Sequence, residues 1–119
     1  PMDLSNLSTE IDLATTLDRL CGDSALLLEI LDLFLDEFAT EQTHLLGRVH
    51  VGDYAGLASK AHYFKGVAQN LGLLKFLPEV QLLEQAAKQN DSSSCFQALN
   101  SLHEIACRIL AIRKNMQAA

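Results

Sequence analysis

The chain has 119 residues and a formal net charge of −6, with nine Lys and Arg against fifteen Asp and Glu. Nearly half of it (49%) is apolar and only two residues are Pro, which excludes a disordered chain and points to one helix-rich domain spanning residues 1–119. The acidic balance and the absence of Trp exclude a nucleic-acid-binding face, which needs basic side chains and stacking platforms.

The first residues, Pro1-Met2-Asp3-Leu4-Ser5, carry no basic region and no hydrophobic stretch, so they do not read as a secretion signal. A short first helix is expected from about Ser8 to Cys21, with Ser8 or Thr9 as its cap and Gly22 just past its end. Asp23 or Ser24 then caps a long second helix, about 24–50. Its apolar residues Leu27, Ile30, Leu31, Phe34, Phe38, Leu45 and Val49 recur at spacings of three and four. The richest apolar run, Leu26 to Leu35, is broken by Glu29 and Asp32 and does not span a bilayer.

Gly52 and Asp53 break the chain, and Asp53 caps a third helix of about 53–70 that stops at Gly72. The fourth helix, about 75–89, must begin near Lys75, because Pro78 is tolerated only in a first turn. Its inward residues are Phe76, Val80, Leu83 and Ala87. Asn90 to Ser94 form a polar connector that offers caps. The fifth helix, about 94–116, carries Phe96, Leu99, Leu102, Ala106, Ile109 and Leu110 on its apolar side. No alternation of the strand type appears. Short links between amphipathic helices predict an all-α antiparallel up-down four-helix bundle, preceded by the short N-terminal helix.

The chemistry is expected on the third helix. Leu57, Ala61, Phe64, Ala68 and Leu71 form a core stripe at spacings of four, three, four and three. At about 100° per residue, His62, Lys65 and Gln69 fall on a flank of that stripe, at or near water. Ala55, Ala58, Ser59 and Gly66 share the flank, and all are small. A lone imidazole then stands on a flat surface that another backbone can approach. A neutral imidazole attacks phosphorus well near neutral pH, because its ordinary pKa is about 6.5. Lys65, one turn on, can pair with phosphoryl oxygens. Gly66 removes a side chain beside the site, although Gly inside a helix costs about 1 kcal/mol relative to Ala.

The segment His62-Tyr63-Phe64-Lys65-Gly66-Val67-Ala68-Gln69-Asn70-Leu71-Gly72 resembles the signature of the histidine-containing phosphotransfer (HPt) domains of bacterial two-component phosphorelays. The resemblance runs from about Ile11 to Arg113. It takes in Ile11-Asp12-Leu13, Leu17, Arg19-Leu20 and Gly22-Asp23, then Leu31, Phe34 and Leu35, Gly52-Asp53, and Leu83-Glu84. Tyr63 departs from it where Thr or Ser is frequent, Val67 where a small residue is usual, and Pro78 is unusual in the fourth helix.

The resemblance implies a phosphoryl carrier rather than a complete enzyme. His62 would accept a phosphoryl group from a receiver-domain aspartate and pass it to another. Lys65 would stabilise the phosphate, Gly66 would give steric access, Gln69 would lend polar support and Glu84 would orient the His62 ring. No cofactor of its own is expected, the Mg²⁺ being held by the partner receiver. The implied partners are response-regulator receiver domains and a sensor or hybrid histidine kinase, docking on the His62 flank, the nearby end of the second helix and the first helix. Two other functions fit the same residues: a receiver-docking module without chemistry, and the phosphoacceptor domain of a chemotaxis-type kinase.

Other candidates are weaker. His103 and Cys107 stand four apart, which is metal-ligand spacing, but they fall within or beside the apolar stripe and no second pair completes a site. Packing is the expected role and no metal is expected. His44 and His50 are expected in solvent. The three cysteines, Cys21, Cys95 and Cys107, are odd in number and widely spaced, so they are expected as reduced thiols of a cytoplasmic, monomeric protein with neither nucleic-acid binding nor membrane insertion.

Overall fold

The computed structural model describes residues 3–118. After a 3-10 turn at Ser5–Leu7, five helices follow: α1 (Leu13–Arg19), α2 (Ser24–His50), α3 (Tyr54–Leu71), α4 (Phe76–Lys88) and α5 (Ser92–Ala118). Among the described residues there is no strand, only an isolated antiparallel bridge between Ile11 and Leu73. The architecture is an all-helical bundle. α3 packs on α2 and α4, and α5 packs on α4 and α2.

The caps explain most of the boundaries. Asp23 Oδ1 accepts from the Leu26 N–H at 3.0 Å and Asp53 Oδ1 from the Gly56 N–H at 2.9 Å, which starts α2 and α3. Gly72, at φ 65°, ends α3 in the left-handed conformation that a β-carbon disfavours. Pro78 lies in the first turn of α4, where its missing N–H costs nothing.

The N-terminal segment corrects the expected helix of about 8–21. Neither Ser8 nor Thr9 caps it; Asp12 does, accepting from the Thr15 N–H at 3.3 Å, and α1 is confined to Leu13–Arg19. The reason is tertiary. Glu10 and Ile11 are 2% and 1% exposed, and residues 10–12 run along the α3–α4 corner. There the Leu74 N–H donates to the Glu10 carbonyl and the Asp12 N–H to the Gly72 carbonyl, both at 2.8 Å. Burial and cross-chain hydrogen bonds outweigh the local cap signal.

α5 also starts earlier than the expected residue 94 and runs beyond 116. Asp91 is the cap, with Oδ1 accepting from the Ser94 N–H at 3.1 Å and Oδ2 from the Ser94 hydroxyl at 2.7 Å. Its buried face is turned from the expected one. Cys95, Ala98, Leu99, Leu102, Ile105, Ala106 and Ile109 are buried, whereas Phe96 and Leu110 are 37% and 38% exposed. His103 and Cys107, expected to pack, are both exposed.

The core centres on four phenylalanines from three helices. Phe34 and Phe38 of α2 meet Phe64 of α3 and Phe76 of α4, with Phe76 edge-on at 5.0 and 5.1 Å from Phe34 and Phe38. Phe64 stands edge-on to Phe38 at 5.4 Å. Such edge-to-face pairs add about 0.5–1.5 kcal/mol each beyond area burial.

Candidate functional site

The stripe Leu57, Ala61, Phe64, Ala68 and Leu71 is buried, none of it more than 2% exposed. That orientation of α3 turns His62 outward, with a side chain 70% exposed. Opposite, Leu83 and Ala87 anchor α4 in the core at 1% exposure each. Glu84, next to Leu83, is thereby brought against α3 at the edge of the core, and only 7% of it is exposed.

The structure brings three of the expected site residues together on one carboxylate. His62 Nδ1–H donates to Glu84 Oε2 at 3.0 Å, and the Lys65 ammonium donates to Glu84 Oε1 at 2.8 Å. A fourth residue joins them. Lys88, one turn along α4, places its ammonium 3.4 Å from Glu84 Oε2. Three donors therefore compensate a nearly buried carboxylate. The Lys65 hydrogen bond, aided by His62 and by the charge of Lys88, overcomes burial and holds the Glu84 pKa down to about 2, against an ordinary value of 4.5.

This arrangement decides the imidazole tautomer. An ionised carboxylate only accepts, so Nδ1 carries a hydrogen, and in the neutral ring the lone pair is on Nε2. The ring is tethered through Nδ1 while the remainder of the side chain stays in water. Gly66 lies one turn on, and a β-carbon there would meet no atom within 4 Å. The open space beside the ring is thus a property of the surface, not a demand of the packing.

Gln69 is not drawn into the cluster through its amide. It is exposed, and its backbone carbonyl is the part that bonds, accepting from Arg19 Nη1 at 2.9 Å. Arg19 also donates to the Asn70 carbonyl at 3.0 Å, and the Thr16 hydroxyl donates to the Leu71 carbonyl at 3.0 Å. α1 thereby satisfies carbonyls at the C-terminus of the helix that carries His62. Tyr63 is half-exposed, and the neighbouring Glu37 carboxylate raises its pKa above the ordinary value. Val67 packs partly against the core.

Lys88 was missed in the sequence, although Glu84 and Lys88 have the Glu-to-Lys spacing of four that pairs charges along a helix. Among the described residues, no helix is long and apolar enough to cross a membrane. No family model, curated protein sequence or solved structure matches this chain.

Proposed function

We propose that this chain is a phosphoryl carrier of the histidine-containing phosphotransfer type, with His62 as the phosphoacceptor. The observation that carries the proposal is the pairing of His62 Nδ1 with Glu84, which in the neutral ring turns the Nε2 lone pair to an open surface. The Nε2 lone pair attacks the phosphorus of a receiver's aspartyl phosphate. The P–N bond forms as the P–O bond breaks, and the aspartate carboxylate departs with the bonding electrons. Nδ1 keeps its hydrogen, so the ring becomes cationic beside the Glu84 carboxylate, which stabilises it. Lys65, paired with the same carboxylate at 2.8 Å, would exchange that contact for a phosphoryl oxygen. The reverse step delivers the group to a second receiver.

The up-down order of α2 to α5 is part of the same proposal. It is supported by the ring of packed neighbours and by the short connections at 51–53, 72–75 and 89–91. The partner surface comprises the His62 flank of α3, the adjoining end of α2, and α1. The receiver supplies the Mg²⁺ that neutralises charge on the transferring group.

Transfer of radiolabel from a phosphorylated receiver domain tests the proposal. Wild-type protein takes up an acid-labile, alkali-stable label. His62→Gln takes up none and remains folded, losing at most about 0.5–1.5 kcal/mol with the Glu84 hydrogen bond. Label on the His62→Gln protein would refute the site. Binding of receivers without any label on the wild type would establish a docking module instead.

A further inference from the structure

We propose that Lys88, the last residue of α4, is a positioning residue for His62. Together with Lys65 it balances the charge of Glu84, so that the carboxylate orients the imidazole without fixing a second hydrogen on it. The use of the neutral ring rests on the function proposed above; the charge balance itself does not.

An orienting carboxylate also works against its ring. Glu84 Oε2 stands 3.0 Å from His62 Nδ1. With its pKa held down to about 2, Glu84 is ionised throughout the range in which an imidazole titrates. An opposite charge this close favours the charged ring. The charged ring donates from both nitrogens and has no lone pair with which to attack. An amide in the place of Glu84 would orient the ring without that pull.

The two ammonium groups oppose the pull. Lys65 Nζ sits 2.8 Å from Oε1 and Lys88 Nζ 3.4 Å from Oε2. Lys88 thus shares with His62 the oxygen that faces the ring. Only those two contacts, 3.0 and 3.4 Å end to end, part its ammonium from Nδ1. Of the acidic side chains that α2 turns towards α3, Glu37 bonds to Tyr63 and Glu41 pairs with Lys60. Two positive charges against one negative charge disfavour a further positive charge on the ring. When Lys65 turns to an incoming phosphoryl oxygen, Glu84 is freed to face the ring at the step in which the ring becomes cationic. The Lys88 side chain is 65% exposed, so water and salt screen its effect.

A pH titration of the His62 ring by NMR, carried out on the full chain, tests the balance. Lys88→Gln removes a positive charge and raises the His62 midpoint by about 0.2–0.7 pH units, the equivalent of an exposed ion pair. The rise shrinks as salt is added. Lys88→Arg keeps the wild-type midpoint, whereas Glu84→Gln lowers it. The midpoints of His44, His50 and His103 stay in place and report that each variant is folded. Labelling by phosphoramidate, a small donor that gives its phosphoryl group to the ring and releases ammonia, shows the same displacement in its pH profile. A His62 midpoint that moves by less than about 0.1 unit in Lys88→Gln, or moves equally in Lys88→Arg, would overturn the role of Lys88. Wild-type protein that takes no label from phosphoramidate would instead overturn the phosphoacceptor reading, and the midpoints would still decide the charge balance.

Discussion

Gly66 and Glu84 separate what the site needs from what the fold needs. A methyl group at residue 66 enters open space, so Gly66→Ala should stabilise α3 by about 0.5–1 kcal/mol. The melting temperature then rises by roughly 2–6 °C. On the function proposed above, the same methyl adds bulk one turn from His62, and transfer from a phosphorylated receiver is expected to slow severalfold. A variant that transfers at the wild-type rate would remove the access role from Gly66. Glu84 gives a prediction in pH. Its folded pKa of about 2 lies below the ordinary 4.5, so its contribution is present in full above 4.5 and is lost as the pH falls towards 2. Urea titrations should show wild-type stability falling more steeply than that of Glu84→Gln across that interval, with parallel behaviour above it. His62, Lys65 and Gly66 were legible because a helical period turns three spacings into one flank. The Glu84 contact was not readable from periodicity, since no local pattern says which residue of α4 meets His62; the resemblance supplied it. Lys88 was overlooked, and Gln69 was credited with a side-chain role where its carbonyl makes the contact.

At the scale of elements, the boundaries of α2, α3 and α4 followed from Asp23, Asp53, Gly72 and Pro78, whose effects are local. The N-terminal helix was misplaced because its true determinant is remote. Glu10 is buried at 2% exposure and is held by Arg108 Nη2 at 3.2 Å and Lys75 Nζ at 3.3 Å, from the far end of α5 and from the α3–α4 corner. Nothing in residues 8–21 announces partners so far along the chain. Arg108→Ala should cost about 1–3 kcal/mol, because it leaves a buried carboxylate with one half-exposed ammonium. Urea unfolding measures the loss; a change under 0.5 kcal/mol would mean that Lys75 alone suffices. The rotation of α5 has a similar origin. Its sequence offers apolar residues nearly all round, including Phe96 and Leu110, and only the neighbouring α2 and α4 decide which of them are covered.

For the whole molecule, the four phenylalanines make α2, α3 and α4 one packed unit. Phe38→Ala removes a ring 1% exposed and in contact with three others. It should cost about 3–5 kcal/mol, a large share of the 5–15 kcal/mol that domains of this size hold. Unfolding followed by far-ultraviolet dichroism and by tyrosine fluorescence (Tyr54 on α3, Tyr63 beside His62) should give one coincident transition in the wild type. The contacts of Thr16 and Arg19 with the end of α3 bear on where the protein can be trimmed. A fragment beginning at Ser24 would keep every helix of the bundle. It would also strip the carbonyls of Asn70 and Leu71 of the donors that α1 gives them, and that of Gln69 of one of its two. The final turn of α3, at residues 69–71, is then expected to fray. The smallest fragment that keeps the end of α3 capped therefore includes α1 and its cap Asp12, well ahead of the first long helix.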